Sequence, residues 1–293
     1  MTALGVDPRN RLNDLTGKEW LQSSRSWWFQ RGLGRGHRET LIELQHPAPF
    51  SFRDIQKLIR LFTKRGMTVL DPFCGVGSTV KAAALVGRHA TGIEVSRRWV
   101  TLGRARLFKE VPLRKRRGLR IRQIQGDSRK VLPGFPRQSV DLVVSSPPYW
   151  RILTKDPDHK ATSTRVKLGL ATRYSRRSKA DLGNIQDYDD FLSALARVIR
   201  GCRHVLKPKA HAVFIVGDFR HGPRFYPFHV DFIRIAERAG LRLTGVFVLI
   251  QSGKKLFPYG YPFTLVQNIH HQYALVFERP VERSPGRTGR GVH

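Results

Sequence analysis

From Gly66 onward, short apolar runs alternate with stretches of helical spacing, and this alternation constrains the fold more than any other feature. The runs are Thr68–Asp71, His89–Glu94, Arg120–Gly126, Val140–Ser145, His211–Gly217, Arg242–Ile250 and Gln272–Phe277. Several of them, such as Val140-Asp141-Leu142-Val143-Val144, are too short for helices and too continuously apolar for a sheet with one wet face,. Helical patterns at Thr79–Val86, Arg97–Phe108, Asp187–Val205 and His229–Ala239 supply the layers that cover them,. No helix separates the last two runs. An α/β fold follows, with a seven-stranded, mostly parallel sheet and an antiparallel edge strand. Right-handed crossovers then bring the carboxyl ends of the first and fourth runs side by side. Open sheets of this kind bind ligands at such strand ends.

The residues that follow those two runs are therefore the ones to examine. Asp71-Pro72-Phe73-Cys74-Gly75-Val76-Gly77-Ser78-Thr79 is a strand-to-helix turn whose glycines admit close approach to the backbone, with helix N–H groups facing outward,. Val80 stands where a third glycine would complete GxGxxG, which argues against a nicotinamide dinucleotide,. Glu94 ends the second run, where an acid can bond ribose hydroxyls, and Asp127, ending the third, is placed to accept from an adenine amine,. Ser146-Pro147-Pro148-Tyr149 follows the fourth run with an acceptor, a rigid proline pair and an aromatic face, the makings of a pocket for a planar base. The pattern is a cofactor site beside a base site.

Charge narrows the partner. The 293 residues carry 53 Lys and Arg against 22 Asp and Glu, a formal +31, a field that suits a polyanion and does little for a small neutral metabolite,. The stretch from Trp150 to Gln186 is polar and aperiodic, and its Arg151, Lys155, Arg165, Lys167, Arg173, Arg176 and Arg177 are the candidates for phosphate contact. Such contacts position a protein without reading bases. Cys74 and Cys202 lack the spacing of a disulfide framework or a zinc site, and His270 and His271 have no acid or cysteine at metal spacing, so no metal is expected,. No apolar stretch reaches membrane-spanning length and Met1–Asp7 lacks the marks of a signal peptide, so a cytoplasmic location is expected,.

The remaining organisation reads as a basic, aromatic N-terminal arm over 1–45, a main domain over 46–280 carrying the inserted loop 151–186, and a flexible tail over 281–293. Trp20, Trp27, Trp28 and Phe29 in the arm are expected to pack on the protein's own domain,. Ser51 with Asp54 reads as a capping-box-like start to a helix carrying Ile55, Leu58, Ile59 and Phe62,. Asp218 either shapes the base pocket or caps locally, and the aromatic loop Phe257–Phe263 either walls the site or packs on the surface.

Three motifs, His46-Pro47-Ala48-Pro49-Phe50, the glycine turn and Ser146-Pro147-Pro148-Tyr149-Trp150, resemble those of the S-adenosylmethionine-dependent DNA methyltransferases of exocyclic amines, the N4-cytosine and N6-adenine family. The resemblance runs from His46 to about Arg279, in one of the circularly permuted motif orders of that family. It implies a Rossmann-like class I methyltransferase fold, S-adenosylmethionine as cofactor, double-stranded DNA as substrate, and a restriction-modification setting with a companion restriction endonuclease as a candidate partner. It further implies that Phe50 lines the methionine end of the cofactor, with Asp71, Phe73, Gly75, Gly77, Ser78 and Thr79 around its amino acid part, Glu94 on the ribose and Asp127 on the adenine. Ser146 and the Pro147 carbonyl would accept from the target amine, beside Pro148, while Tyr149 stacks on the flipped base,. The SPPY form is commoner among cytosine N4 enzymes. Adenine N6, an exocyclic amine of RNA, and a catalytically silent binding module are the alternatives. Against the silent module stand the intact glycine turn and acceptor serine.

Overall fold

The apolar runs assemble as the alternation requires. A computed structural model describes residues 5–30, 42–47, 51–151, 178 and 180–282. Of the expected site residues, Phe50, Lys155, Arg165, Lys167, Arg173, Arg176 and Arg177 lie outside the described residues, as does the tail beyond 282. In chain order the elements are α1 (Gly17–Ser23), β1 (Trp27–Phe29), a 3₁₀ turn (Glu43–Gln45), α2 (Phe52–Phe62), β2 (Thr68–Asp71), α3 (Ser78–Leu85), β3 (His89–Glu94), α4 (Arg97–Glu110) and α5 (Leu113–Arg116). Then come β4 (Ile121–Gln125), α6 (Ser128–Val131), β5 (Val140–Ser145), α7 (Tyr188–Val205), β6 (Leu206–Val216), β7 (Phe219–His221), β8 (Arg224–Tyr226), α8 (Phe228–Arg238), β9 (Arg242–Ile250) and β10 (His271–Glu278).

Eight of the described strands form one sheet in the order β1-β9-β10-β6-β5-β2-β3-β4, and β7 and β8 make a separate hairpin. β2 pairs in parallel with β5, Val69 opposite Leu142 and Leu70 opposite Val143, so the two strand ends that carry the motifs are neighbours. β10 runs antiparallel to both β6 and β9. The main sheet differs from the sequence expectation in two details. The sheet has eight strands where seven were expected, because Trp27–Phe29 of the arm adds a parallel edge beside Val248–Ile250 of β9. The antiparallel strand β10, expected at the edge, is interior because it lies between β9 and β6. A three-residue strand is too short to show periodicity, which is why the arm reads as irregular from sequence.

Helices cover both faces. Along β6, Ala212, Phe214 and Val216 join one core with Phe191, Leu195 and Val198 of α7 and Phe228 and Phe232 of α8. The alternate residues Val213 and Ile215 join a second core with Ile55, Leu58 and Ile59 of α2 and Val80, Ala82 and Ala83 of α3. This period-two partition of a continuous apolar run is the signature of a strand buried on both sides. The α7 helix starts where Asp187 caps it, its carboxylate accepting from the Asp190 N–H at 2.9 Å,.

The expected capping box on α2 does not form. Ser51 is the N-cap but its side chain makes no capping bond. Asp54 instead accepts from the Trp28 indole N–H at 3.0 Å. Trp28 also packs on Phe247 and under Lys57, so of the four expected aromatics this one docks the arm on its own domain, while Trp20, Trp27 and Phe29 stay exposed. Among the described residues, no helix is long and apolar enough to cross a membrane.

Candidate active site

The glycine turn is built around Asp71 at the end of β2. Its carboxylate accepts from the Phe73 N–H at 2.9 Å, from the Ser145 hydroxyl at 2.5 Å, and from the Thr79 hydroxyl. These bonds tie the last residue of β5 and the first turn of α3 to one buried group. Burial outweighs the three donors and pushes the Asp71 carboxyl up to about 6,. Glu94, ending β3, accepts from the Gly75 N–H at 3.1 Å and the Ser96 N–H at 2.8 Å. Burial again dominates, with the Asp181 and Asp71 charges adding to it, and raises Glu94 to about 7.

Gly75 and Gly77 both have left-handed φ angles, 49° and 76°. Their freedom from a Cβ is used differently from the sequence expectation of ligand approach. A Cβ on Gly77 would lie 2.1 Å from the Gln123 side-chain nitrogen, and one on Gly75 would lie 3.0 Å from His46 Nε2. Both glycines admit neighbouring side chains, and Gly77 does not line the cleft described below. Cys74 fills the space that Gly92 leaves open, consistent with a structural role.

The second motif is held from the other side of the sheet. The Ser146 hydroxyl donates to the Ile215 carbonyl of β6 at 3.1 Å. Its hydrogen is thereby directed into the sheet, and its lone pairs remain as acceptors. The Tyr149 hydroxyl accepts from the Gln272 amide at 2.8 Å and from the Gly217 N–H, which fixes the ring between β10 and the end of β6. Phe219 and Phe228 pack against that ring with centroids 6.3 and 5.9 Å away. Burial pushes the phenol up to about 12, so it stays protonated. Trp150 turns inward to Tyr188 and Tyr226 and donates to the Ile185 carbonyl at 3.1 Å.

These pieces meet. One cleft at the carboxyl ends of β2, β3 and β5 is lined by Asp71, Phe73, Gly75, Ser78, Thr79, Glu94, Asp127 and the whole of Ser146-Pro147-Pro148-Tyr149. Asp127 is already engaged: Arg129 grips it with its guanidinium (2.7 Å at the closest) and its backbone N–H. Burial raises this carboxyl, but the Arg129 bonds outweigh it and the net shift is downward. Arg151 follows the motif at φ 47° and is not among the cleft-lining residues. Asp218 takes the local role, accepting from His229 Nδ1 at 2.7 Å and the His229 N–H at 3.2 Å.

Among the further lining residues are His46 and Asp181. His46 is brought in because the buried Arg106 ties Glu43, just ahead of it, to Glu110 and Ser78. The HPAPF motif was the sequence signal for it. Asp181 lies buried in the cleft wall, bonded to the Gly183 N–H at 3.0 Å. No local pattern marks it, because it arrives from beyond the long aperiodic loop. Asp71, Glu94 and Asp181 thus give the cleft an acidic wall inside a chain of net +31. That wall suits a ligand with cationic groups, and a sulfonium with an α-ammonium meets the requirement.

Comparison with known proteins agrees with this architecture. Residues 9–104 match a DNA methylase family model, and residues 70–161 match a methyltransferase domain. The orphan methyltransferase M.BamHII of Bacillus amyloliquefaciens is 34% identical over 98 residues, covering 31% of this chain and 37% of that protein. The type II methyltransferase M.MjaI of Methanocaldococcus jannaschii is 50% identical over 72 residues, 24% of each chain. The matched segments therefore span well under half of these relatives. A chain of the complex between the Haloferax volcanii Trm112 methyltransferase activator and a methyltransferase aligns over 84% of this chain and 95% of its own, with TM-score 0.50 and 14% identity, a likeness of fold. Over the segments that match, the chain is thus similar to the S-adenosylmethionine-dependent DNA methyltransferases of exocyclic amines, the N4-cytosine and N6-adenine enzymes, in keeping with the resemblance of its motifs.

Proposed function

We propose that the protein methylates DNA, moving the methyl group of S-adenosylmethionine to the exocyclic N4 amine of a cytosine flipped out of the duplex. The observation that carries this reading is the meeting of the glycine turn and the SPPY motif in one cleft. When bound, S-adenosylmethionine supplies a methyl group on a positively charged sulfur, already activated for displacement. The residues that would hold it are Asp71, Phe73, Gly75, Ser78, Thr79 and Glu94, with Asp127 at the adenine end and Gly77 shaping the turn from behind.

The protein's own task is to prepare the amine. An exocyclic nitrogen conjugated with its ring is a poor nucleophile. Acceptors aimed at its hydrogens draw it toward the tetrahedral geometry in which its lone pair is free. Ser146 is such an acceptor because its own hydrogen is committed to Ile215, and the Pro147 carbonyl supplies a second. Neither must reorganise as charge develops on the nitrogen, which is what makes fixed dipoles effective. Tyr149, held at its hydroxyl and braced at its ring edge, offers a face for the base, worth about 1–3 kcal/mol of stacking,. Arg151 and the basic residues Lys155, Arg165, Lys167, Arg173, Arg176 and Arg177 are assigned to the phosphates,.

Cytosine is preferred over adenine on the SPPY form of the motif alone. The test is to incubate purified protein with labelled S-adenosylmethionine and separate DNA and RNA pools, then digest and identify the modified nucleoside. N4-methylcytosine in DNA is expected. N6-methyladenine would move the target base, label confined to RNA would change the polymer, and DNA binding without transfer would leave a silent module. A dependence on restriction-modification would be tested by seeking a companion endonuclease that cuts the unmodified site.

A further inference from the structure

Between β9 and β10 the chain leaves the sheet as a loop whose residues 252–265 are all exposed. Its apolar side chains stand in water: Leu256 is 75% exposed, Tyr261 81%, Phe263 93% and Leu265 95%. A single exposed apolar residue is ordinary, but a group of them on one protrusion marks a surface that meets something. The loop neither lines the cleft nor packs on the body, so both sequence readings of it are set aside.

The protrusion is braced. Asn268 bonds both the N–H and the carbonyl of Phe257, at 3.1 and 2.8 Å, closing the neck of the loop. Lys254 Nζ donates to the Ile269 carbonyl at 3.3 Å, and the N–H groups of Phe263 and Thr264 both reach the Gly260 carbonyl at 2.8 Å, forming a tight tip. A floppy loop would collapse its apolar groups onto the body. This one holds them out.

Its root lies beside the base pocket. The stem is the pair Ile250 and His271, and the next residue, Gln272, is the one that holds the Tyr149 hydroxyl. The loop springs from the carboxyl end of β9, which is parallel to the strands whose ends form the cleft. A nucleic acid delivering a base to Tyr149 passes this root, drawn by the net charge of +31,.

We propose that the loop is a wedge: its tip, Tyr261, Phe263 and Leu265, enters the base stack of duplex DNA next to the flipped nucleotide and holds the opened step apart. This rests on the assignment of DNA as the substrate. Apolar side chains inserted between base steps offset the cost of unstacking by contacts that water does not offer. The cost exists only in a duplex, since a single strand presents its bases already unpaired.

The experiment compares wild type with Phe263→Ser and with the triple variant Tyr261→Ser/Phe263→Ser/Leu265→Ser, all exposed positions. Methyl transfer is measured on unmethylated genomic duplex and on the same DNA after heat denaturation. The variants should lose about tenfold or more on the duplex and stay near wild type on the single strands, because only the duplex carries the opening cost. Equal losses on both, or no loss on either, would overturn the wedge. A wild type that transfers to neither DNA would defeat the methylation assignment instead. The wedge would then still be decided by duplex affinity at high salt, where counterion release contributes little: the triple variant must bind about fivefold or more weakly. Equal affinities there, or a wild type that light scattering shows to self-associate through the tip, would overturn it.

Discussion

Ser146 draws its proposed role from one hydrogen bond. A serine hydroxyl both donates and accepts, and the Ile215 carbonyl takes the donor, leaving acceptor capacity toward the cleft,. Ser146→Ala should therefore lower kcat by about 10²- to 10³-fold, the loss typical of a preorganised dipole. Cofactor Kd should stay within about twofold, because the lost group faces the amine. Steady-state kinetics with calorimetric titration separate the two. Glu94 lends itself to a different measurement. Buried beside Asp181 and Asp71, it holds its proton to about pH 7 against an ordinary value of 4.5. The folded chain binds that proton more tightly than the unfolded one, so the group's stabilisation is complete below 4.5 and is lost as pH rises through 7,. The ligand-free protein should lose Tm between pH 5 and 7.5, and Glu94→Gln should remove the upper part of that slope, leaving the part due to Asp71 near 6. Ligand hydroxyls donating to Glu94 favour its carboxylate. Cofactor binding should accordingly release a proton near pH 7, read as a buffer-dependent heat in wild type and absent in Glu94→Gln.

At the scale of elements, two side-chain patterns carry more than their local meaning. Ser51 and Asp54 have the spacing of a helix start, yet Asp54 is committed to Trp28, a partner 26 positions away in the chain. Local spacing located the helix correctly and misassigned the carboxylate, because a half-buried indole N–H needs an acceptor and found this one,. Trp28→Phe would leave Asp54, whose carboxyl burial already raises, without that donor. The expected cost is about 1–3 kcal/mol in urea denaturation, the price of a buried polar group left unpaired. Gly77 teaches the same lesson. The turn was legible as a glycine turn, but the space a Cβ would occupy belongs to Gln123 of β4. Gly77→Ala should destabilise the fold by about 1–2 kcal/mol through its left-handed φ alone,, and more through the displaced amide.

At the scale of the whole molecule, the charge makes a claim of its own. With +31 on the chain and a polyanion as proposed substrate, DNA affinity should fall by about 10³- to 10⁵-fold between 50 and 200 mM salt if 6 to 10 phosphates are neutralised,. Fluorescence anisotropy across a salt series measures it, and a flat profile would count against a polyanionic partner. The chain's alternating apolar runs and helical stretches determined the α/β class, the helices α3, α4, α7 and α8 within a few residues, and the parallel neighbours β2 and β5, but not the short helices α5 and α6. These follow from local periodicity and the handedness of crossovers, both of which a linear sequence expresses. What joins distant segments was decided only by folding. The edge strand β1, the arrival of Asp181 in the cleft wall, the grip of Gln272 on Tyr149 and the exposure of Phe263 have no local signature. Each depends on which surfaces remain uncovered after the cores close, a property of the packed molecule and of no single stretch of it.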